Sequence, residues 1–186
     1  MIEYKSPAFY QSSFALCFAA VVVFANLHLL QPLLPVLSRE YALTPLQTSW
    51  AYGVSTLTLG ISLLVYAALS DAWGRKTLLV ITLLGMTCTT LALTQVESFT
   101  ALLCWRALLG IFLGGLPAVA IAYMGEEYTK PALVAAVGVY ISANSLGGIS
   151  GRLVAGALAD IGHWQWVFWP VTLLGALSCY LIWRYL

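Results

Sequence analysis

Six long apolar stretches, parted by five short breaks where charges and turn-forming residues gather, constrain this chain more than any other feature. The breaks are Ser38-Arg39-Glu40, Ser70 to Lys76, Gln95 to Ser98, Gly125 to Lys130, and Asp160 to His163. They leave segments near 14–37, 45–69, 77–95, 99–124, 131–159 and 164–186. Each is close to or beyond the ~20 apolar residues that a helix needs to cross a hydrocarbon core. Only 8% of the 186 residues are charged, against about 25% in soluble domains, so no water-facing surface can be built from this composition. The eight basic and seven acidic residues form no charge block, which argues against a disordered tail or a nucleic-acid partner. The expected fold is all-α: a polytopic membrane protein of six transmembrane helices, with the lipid bilayer as its solvent.

Local signals refine this plan. Thr44-Pro45-Leu46-Gln47 predicts a helix start with an N-cap, a proline at the first helical position and a capping-box glutamine. Residues 1–13 read as a cytoplasmic N-terminus before an uncleaved first span. With that end inside, Lys5, Arg75, Lys76, Lys130 and Arg184 collect on the cytoplasmic side and only Arg39 on the other, so both termini are expected in the cytoplasm. Trp50, Trp164 and Trp166 then fall near the outer interface, and Trp73, Tyr123, Tyr128 and Tyr185 near the inner one, as aromatic belts do. Cys17, Cys88, Cys104 and Cys179 lie in apolar stretches without metal-ligand spacing, so no metal site is expected.

One internal echo is visible. Ala67-Ala68-Leu69-Ser70-Asp71-Ala72-Trp73-Gly74 ends the second segment, and Gly156-Ala157-Leu158-Ala159-Asp160-Ile161-Gly162 ends the fifth. Copies three spans apart face opposite sides of a membrane, which predicts a 3+3 inverted repeat of the kind that secondary transporters use.

The stretch Ala67-x-Leu69-Ser70-Asp71-x-x-Gly74-Arg75-Lys76-x-x-Leu79 resembles the signature between the second and third helices of the major facilitator superfamily. It departs at Ala67, where glycine is usual, and at Ala72, where a basic residue is usual. Leu102-x-x-x-Arg106-x-x-x-Gly110-x-x-x-Gly114 is similar to the family's fourth-helix motif. Gly147-Gly148-Ile149-Ser150-Gly151-Arg152-Leu153 resembles the antiporter-type motif of the fifth helix in bacterial drug-efflux members, without its usual Gly-Pro pair. The resemblance runs from about residue 14 to the end and implies the N-terminal six-helix half of such a carrier in a bacterial inner membrane. Implied with it are secondary, ion-gradient-driven transport of a small-molecule substrate, most readily efflux, by alternating access. It further implies a partner for this half, either a C-terminal half or a second copy of itself. No enzyme activity and no cofactor are expected, since neither a P-loop nor a dinucleotide fingerprint is present.

By resemblance, Asp71, Gly74, Arg75 and Lys76 form a cytoplasmic gating turn, with Glu126 or Glu127 as the partner of Arg75. Arg106 and Arg152 both lie ~12 Å inside the outer boundary by their spacing from Ser98 and Asp160. An arginine at that depth needs a cavity or a partner, and no acidic residue in the six segments lies comparably deep. Carbonyl dipoles, the other half of the carrier or a substrate anion could each compensate it. The expectation is that at least one of the two lines the translocation path, with Asn26, His28 and Asn144 as further candidates. Asn144, Gly148 and Arg152 share one helical face. Gly147 and Gly151 belong to an adjacent small-residue face suited to helix packing, as do Gly110 and Gly114 on the fourth segment. Ser55, Thr58, Ser62 and Tyr66 follow helical spacing and suit either a wet cavity or interhelical hydrogen bonds.

Two rival readings remain at this stage. One is a truncated remnant of a carrier that transports nothing. The other, more distant, is an intramembrane serine protease built on Ser150 in Gly148-Ile149-Ser150-Gly151, which would need a base beside it.

Overall fold

The computed structural model describes residues 1–159 and 162–186. Six helical spans long and apolar enough to cross a membrane are found among them: Pro7–Glu40, Pro45–Trp73, Arg75–Leu93, Phe99–Glu127, Lys130–Ala159 and Trp164–Tyr185. Leu64 is 80% exposed, Val134 76% and Leu153 69%. Side chains of this kind on every span make a surface that only lipid can solvate favourably.

Three spans are not single helices. The first comprises α1 (Pro7–His28), a 3-10 turn at Gln31–Leu33 and α2 (Leu34–Glu40). Pro32 and Pro35 lack the N–H groups that an unbroken helix would use here, and proline disfavours helical backbone in the residue before it. α1 starts well before residue 14, because Ser6 caps it: its Oγ accepts the Phe9 N–H at 3.1 Å, with proline following at the first helical position. The expected tail of thirteen residues is therefore mostly helix.

The second span is α3 (Pro45–Trp73), opened by the Thr44–Gln47 capping box. It ends at Gly74, whose φ of 86° suits glycine, and α4 (Arg75–Leu93) follows directly. The fourth span divides at Gly114 into α5 (Phe99–Leu113) and α6 (Gly115–Glu127). The fifth is α7 (Lys130–Ala159). The sixth opens with a 3-10 turn at Trp164–Val167 and continues as α8 (Phe168–Tyr185).

Packing follows a symmetric scheme. The most closely packed pairs are α1 with α7, α3 with α5, and α4 with α8, followed by α1 with α8 and α4 with α5. Exchanging the first span with the fourth, the second with the fifth and the third with the sixth turns this set of pairs into itself. An exchange by three spans inverts the direction of each helix, so the pairing is that of a 3+3 inverted repeat. The echo that suggested the repeat rests partly on Asp160 and Ile161, which lie outside the described residues.

Glycine makes the two principal crossings possible. A Cβ on Gly110 would overlap the Ser55 backbone, and one on Gly151 would lie 2.6 Å from the Ala25 Cα. Gly114 faces the Ser62 side chain and Gly147 the Val21 backbone with equally little room. Close backbone approach of this kind favours helix association where lipid removes the hydrophobic drive. Ser55 and Ser62 are buried in the crossing of α3 with the fourth span, so they serve packing rather than a wet cavity.

The aromatic residues at the helix ends divide into two groups. Trp50, Trp73 and Trp166 are exposed, as interfacial residues should be, whereas Tyr123, Tyr128 and Trp164 are buried. Tyr128 packs against Phe9 at 5.8 Å and against Tyr123 at 6.5 Å between ring centroids. Its hydroxyl lies 2.6 Å from Ser12 Oγ. Because that serine donates to the Ala8 carbonyl, Tyr128 is the donor, and burial pushes its phenol above the ordinary range. Beside it the N-terminus is stitched down: Ile2 N–H donates to the Glu127 carbonyl at 2.5 Å and Thr129 N–H to the Ile2 carbonyl at 3.0 Å.

Candidate functional site

Three charged side chains meet at one end of the bundle. Arg75 Nη2 is 2.7 Å from Asp71 Oδ1 and 2.7 Å from Glu126 Oε1. Its Nε lies 3.2 Å from each oxygen of Glu126, and Nη1 also donates to Ser70 Oγ. Gly74 makes this possible by turning the chain so that Arg75, the first residue of α4, faces back over the end of α3. Of the two expected partners, Glu126 makes the bond. Glu127 contributes its backbone carbonyl to Ile2 instead, and neither its carboxylate nor Lys76 forms an ion pair among the described residues. The cluster ties the second, third and fourth spans together at their shared end.

Arg106 is fully buried. Its Nη1 and Nη2 donate to the carbonyls of Asn26 at 3.3 Å and Leu27 at 3.2 Å, and its Nε to that of Ala51 at 3.3 Å. The two acceptors on the first span belong to the last turn of α1, where the break before Pro32 leaves carbonyls without helical partners. That turn is also the negative end of the α1 dipole, the favourable place for a cation. Carbonyl dipoles are thus what compensate this arginine, and it does not line the open groove. Asn26 is displaced from the candidate path in the same way: it is fully buried, with Nδ2 donating to Thr90 Oγ1 at 2.6 Å.

The remaining candidates come together. His28 on α1 and Asn144 and Arg152 on α7 line one groove of about 360 Å³ with Phe24, Ser145 and Gly148. Arg152 is exposed, and its Nε donates to Gln31 Oε1 at 2.5 Å. His28 Nδ1 is 3.0 Å from the Phe24 carbonyl; a carbonyl only accepts, so this nitrogen carries the hydrogen. The ring sits edge-on to Tyr52 of α3, 6.0 Å away. Asn144 Oδ1 is buried without a hydrogen-bond partner among the described residues. Phe24, Tyr52 and Ser145 were not singled out in the sequence, although Phe24 precedes His28, and Ser145 precedes Arg152, by one or two helical turns.

Ser150 lies away from this groove. Its Oγ donates to the Gly147 carbonyl at 3.2 Å, and it faces an apolar crevice lined by Val21, Val171 and Leu174. His28 lines the other groove. The arrangement gives the serine no base.

The sequence profile described as the Major Facilitator Superfamily matches residues 16–186. The chain belongs to the major facilitator superfamily. It corresponds to the N-terminal six-helix half of that fold and spans less than half the length of the relatives it matches. It is 38% identical over 185 residues to the inner membrane transport protein YnfM of Escherichia coli, covering 100% of this chain and 44% of that one. It is 30% identical over 153 residues to the puromycin resistance protein pur8 of Streptomyces alboniger, covering 80% of this chain and 30% of that one. Among solved structures it is similar to the proton:xylose symporter XylE, with a TM-score of 0.84 at 12% identity, covering 97% of this chain and 45% of that one. At that identity the likeness is one of fold. As a superfamily member with six spans and bacterial relatives, the chain is a multi-pass inner membrane protein.

Proposed function

We propose that this chain forms one half of a secondary transporter that moves a small solute by alternating access, in the direction of export and at the expense of an ion gradient. The observation that carries the reading is the polar groove between α1 and α7, in which His28, Asn144 and Arg152 face open space at membrane depth. Polar side chains are costly in hydrocarbon, and a solute path is the use that repays them. The cluster of Asp71, Arg75 and Glu126 serves as the gate: it holds one end of the bundle closed while the groove is open toward the other. The bias of Lys5, Arg75, Lys76, Lys130 and Arg184 against Arg39 supports a cytoplasmic side for that gate and for both termini. Export agrees with the puromycin resistance of the Streptomyces relative. No covalent change to the solute is involved.

Rocking requires a second body. It is supplied by a C-terminal half or by a second copy of this chain against the faces of α3 and α7, which are the least covered of the six spans. Accumulation of labelled puromycin and of a panel of dyes and small organic acids is the test, in cells lacking other exporters. The 186-residue chain and the product at its native length are expressed separately. Lowered accumulation of any of these by either product supports transport. No change with either product leaves the non-transporting remnant as the correct reading.

A further inference from the structure

Two arginines of this chain lie at membrane depth, and they are held in opposite ways. Arg106 is enclosed and spends its guanidinium on three backbone carbonyls. Arg152 is exposed to the groove, and its hydrogen bond goes to the neutral amide of Gln31. Among the described residues the ion pairs join only Arg75 to Asp71 and Glu126. With no carboxylate bonded to it among the described residues, a guanidinium at this depth is an unmatched charge in a low-dielectric wall. The groove that it faces holds about 360 Å³, room for a small organic molecule. Its other polar walls, His28 and Asn144, add no negative charge, and His28 can only add to the positive.

We infer that the groove between α1 and α7 is an anion site, and that the solute carried here is a small organic acid whose carboxylate is seated on Arg152. The planar fork of the guanidinium donates to two carboxylate oxygens side by side. Gln31 holds the Nε edge and so fixes the plane of the fork, leaving the terminal nitrogens for the ligand. Asn144 adds a neutral polar wall beside it. This inference rests on the transport reading, since it takes the groove as the solute path.

The test reads occupancy rather than transport. Native membranes carrying the protein at its full length are treated with phenylglyoxal, and modification of Arg152 and Arg39 is followed by mass spectrometry. Acetate, benzoate and succinate are each compared with the matched amide, and inorganic phosphate is included as a small inorganic anion. At least one carboxylate should slow modification of Arg152 about tenfold relative to its amide, the factor expected for one charge-assisted bond. Arg39 should be unaffected. Equal protection by acid and amide, or no protection by any acid, overturns the inference. Protection without any added anion that persists in the protein reconstituted into neutral phosphatidylcholine also overturns it, because a carboxylate of the other half is then the partner. Protection that requires phosphatidylglycerol, or is given by phosphate alone, overturns it in favour of a lipid headgroup or an inorganic ion. Anion protection without movement of any solute would sink the transport reading and leave the anion site standing. Movement of a neutral solute with no anion protection would do the reverse.

Discussion

Arg75 Nη2 lies 2.7 Å from Glu126 Oε1, bridging the start of the third span and the end of the fourth. The same nitrogen holds Asp71 on the second span, so one guanidinium joins three helices at a single point. Both carboxylates are more than half exposed, and exposed pairs hold weakly and yield to salt. A fastening that weak suits the gate proposed for it.

On the proposed gating role, Arg75→Gln should open this end of the bundle without unfolding the protein. With cysteine placed at Ala72, labelling by a cytoplasmic maleimide should rise severalfold and become insensitive to ionic strength. The double exchange Arg75→Glu with Glu126→Arg should recover part of the closed population. Equal labelling of all three proteins would remove this cluster from the gate.

Arg106 and Arg152 should separate cleanly. Arg106→Leu strands the carbonyls of Asn26, Leu27 and Ala51, and should cost about 3 kcal/mol or more of stability in denaturation of the reconstituted protein. Arg106→Lys keeps the charge but not the fork, and should recover less than half of that loss. Arg152→Leu should unfold within about 0.5 kcal/mol of the parent and lose transport. Instability in the second variant, or full stability in the first, would reverse their assignments.

The glycines give a graded series. Gly110→Ala and Gly151→Ala place a Cβ against backbone that cannot move aside, and each should cost about 1–3 kcal/mol. Gly60→Ala and Gly138→Ala meet nothing within 4 Å and should be neutral, or stabilising by ~0.5–1 kcal/mol. Thermal denaturation of the four variants in one detergent checks the order.

At Gly74 the reason is different. A Cβ there meets nothing within 4 Å, but φ of 86° is strained for any side chain. Gly74→Ala should cost about 1–2 kcal/mol and misplace Arg75. Its maleimide labelling at residue 72 should then resemble that of Arg75→Gln. A variant as stable as the parent with normal labelling would show that the turn tolerates a side chain.

Much of this architecture could be read along the chain. Spans were legible because their ends carry charge, and the crossings because Gly110 and Gly114, like Gly147 and Gly151, recur one turn apart. Arg75 and Glu126 could be paired because opposite charges at one end of a bundle have few other places to go. Arg106 was not legible, since it is satisfied by peptide groups, which every residue has and no residue type announces. Pro32 and Pro35 were the available hint that α1 would end early and free its carbonyls. Asn26 misled for a related reason: one polar residue on an apolar helix looks the same whether it faces a cavity or a neighbouring threonine. The division at Gly114 escaped because its φ of −69° and ψ of −18° remain close to helical.

The clasp between Ile2 and the Glu127–Thr129 segment also sets an order of events during synthesis. At ~5–20 residues per second, the ribosome takes roughly 6–25 s to travel from the codon of Ile2 to that of its partner segment. Throughout that interval the leading residues have nothing to hold, and four helices must already have entered the membrane before they do. Closing the clasp is thus a late act performed by residues made before all four spans, and it records that those spans have arrived in register.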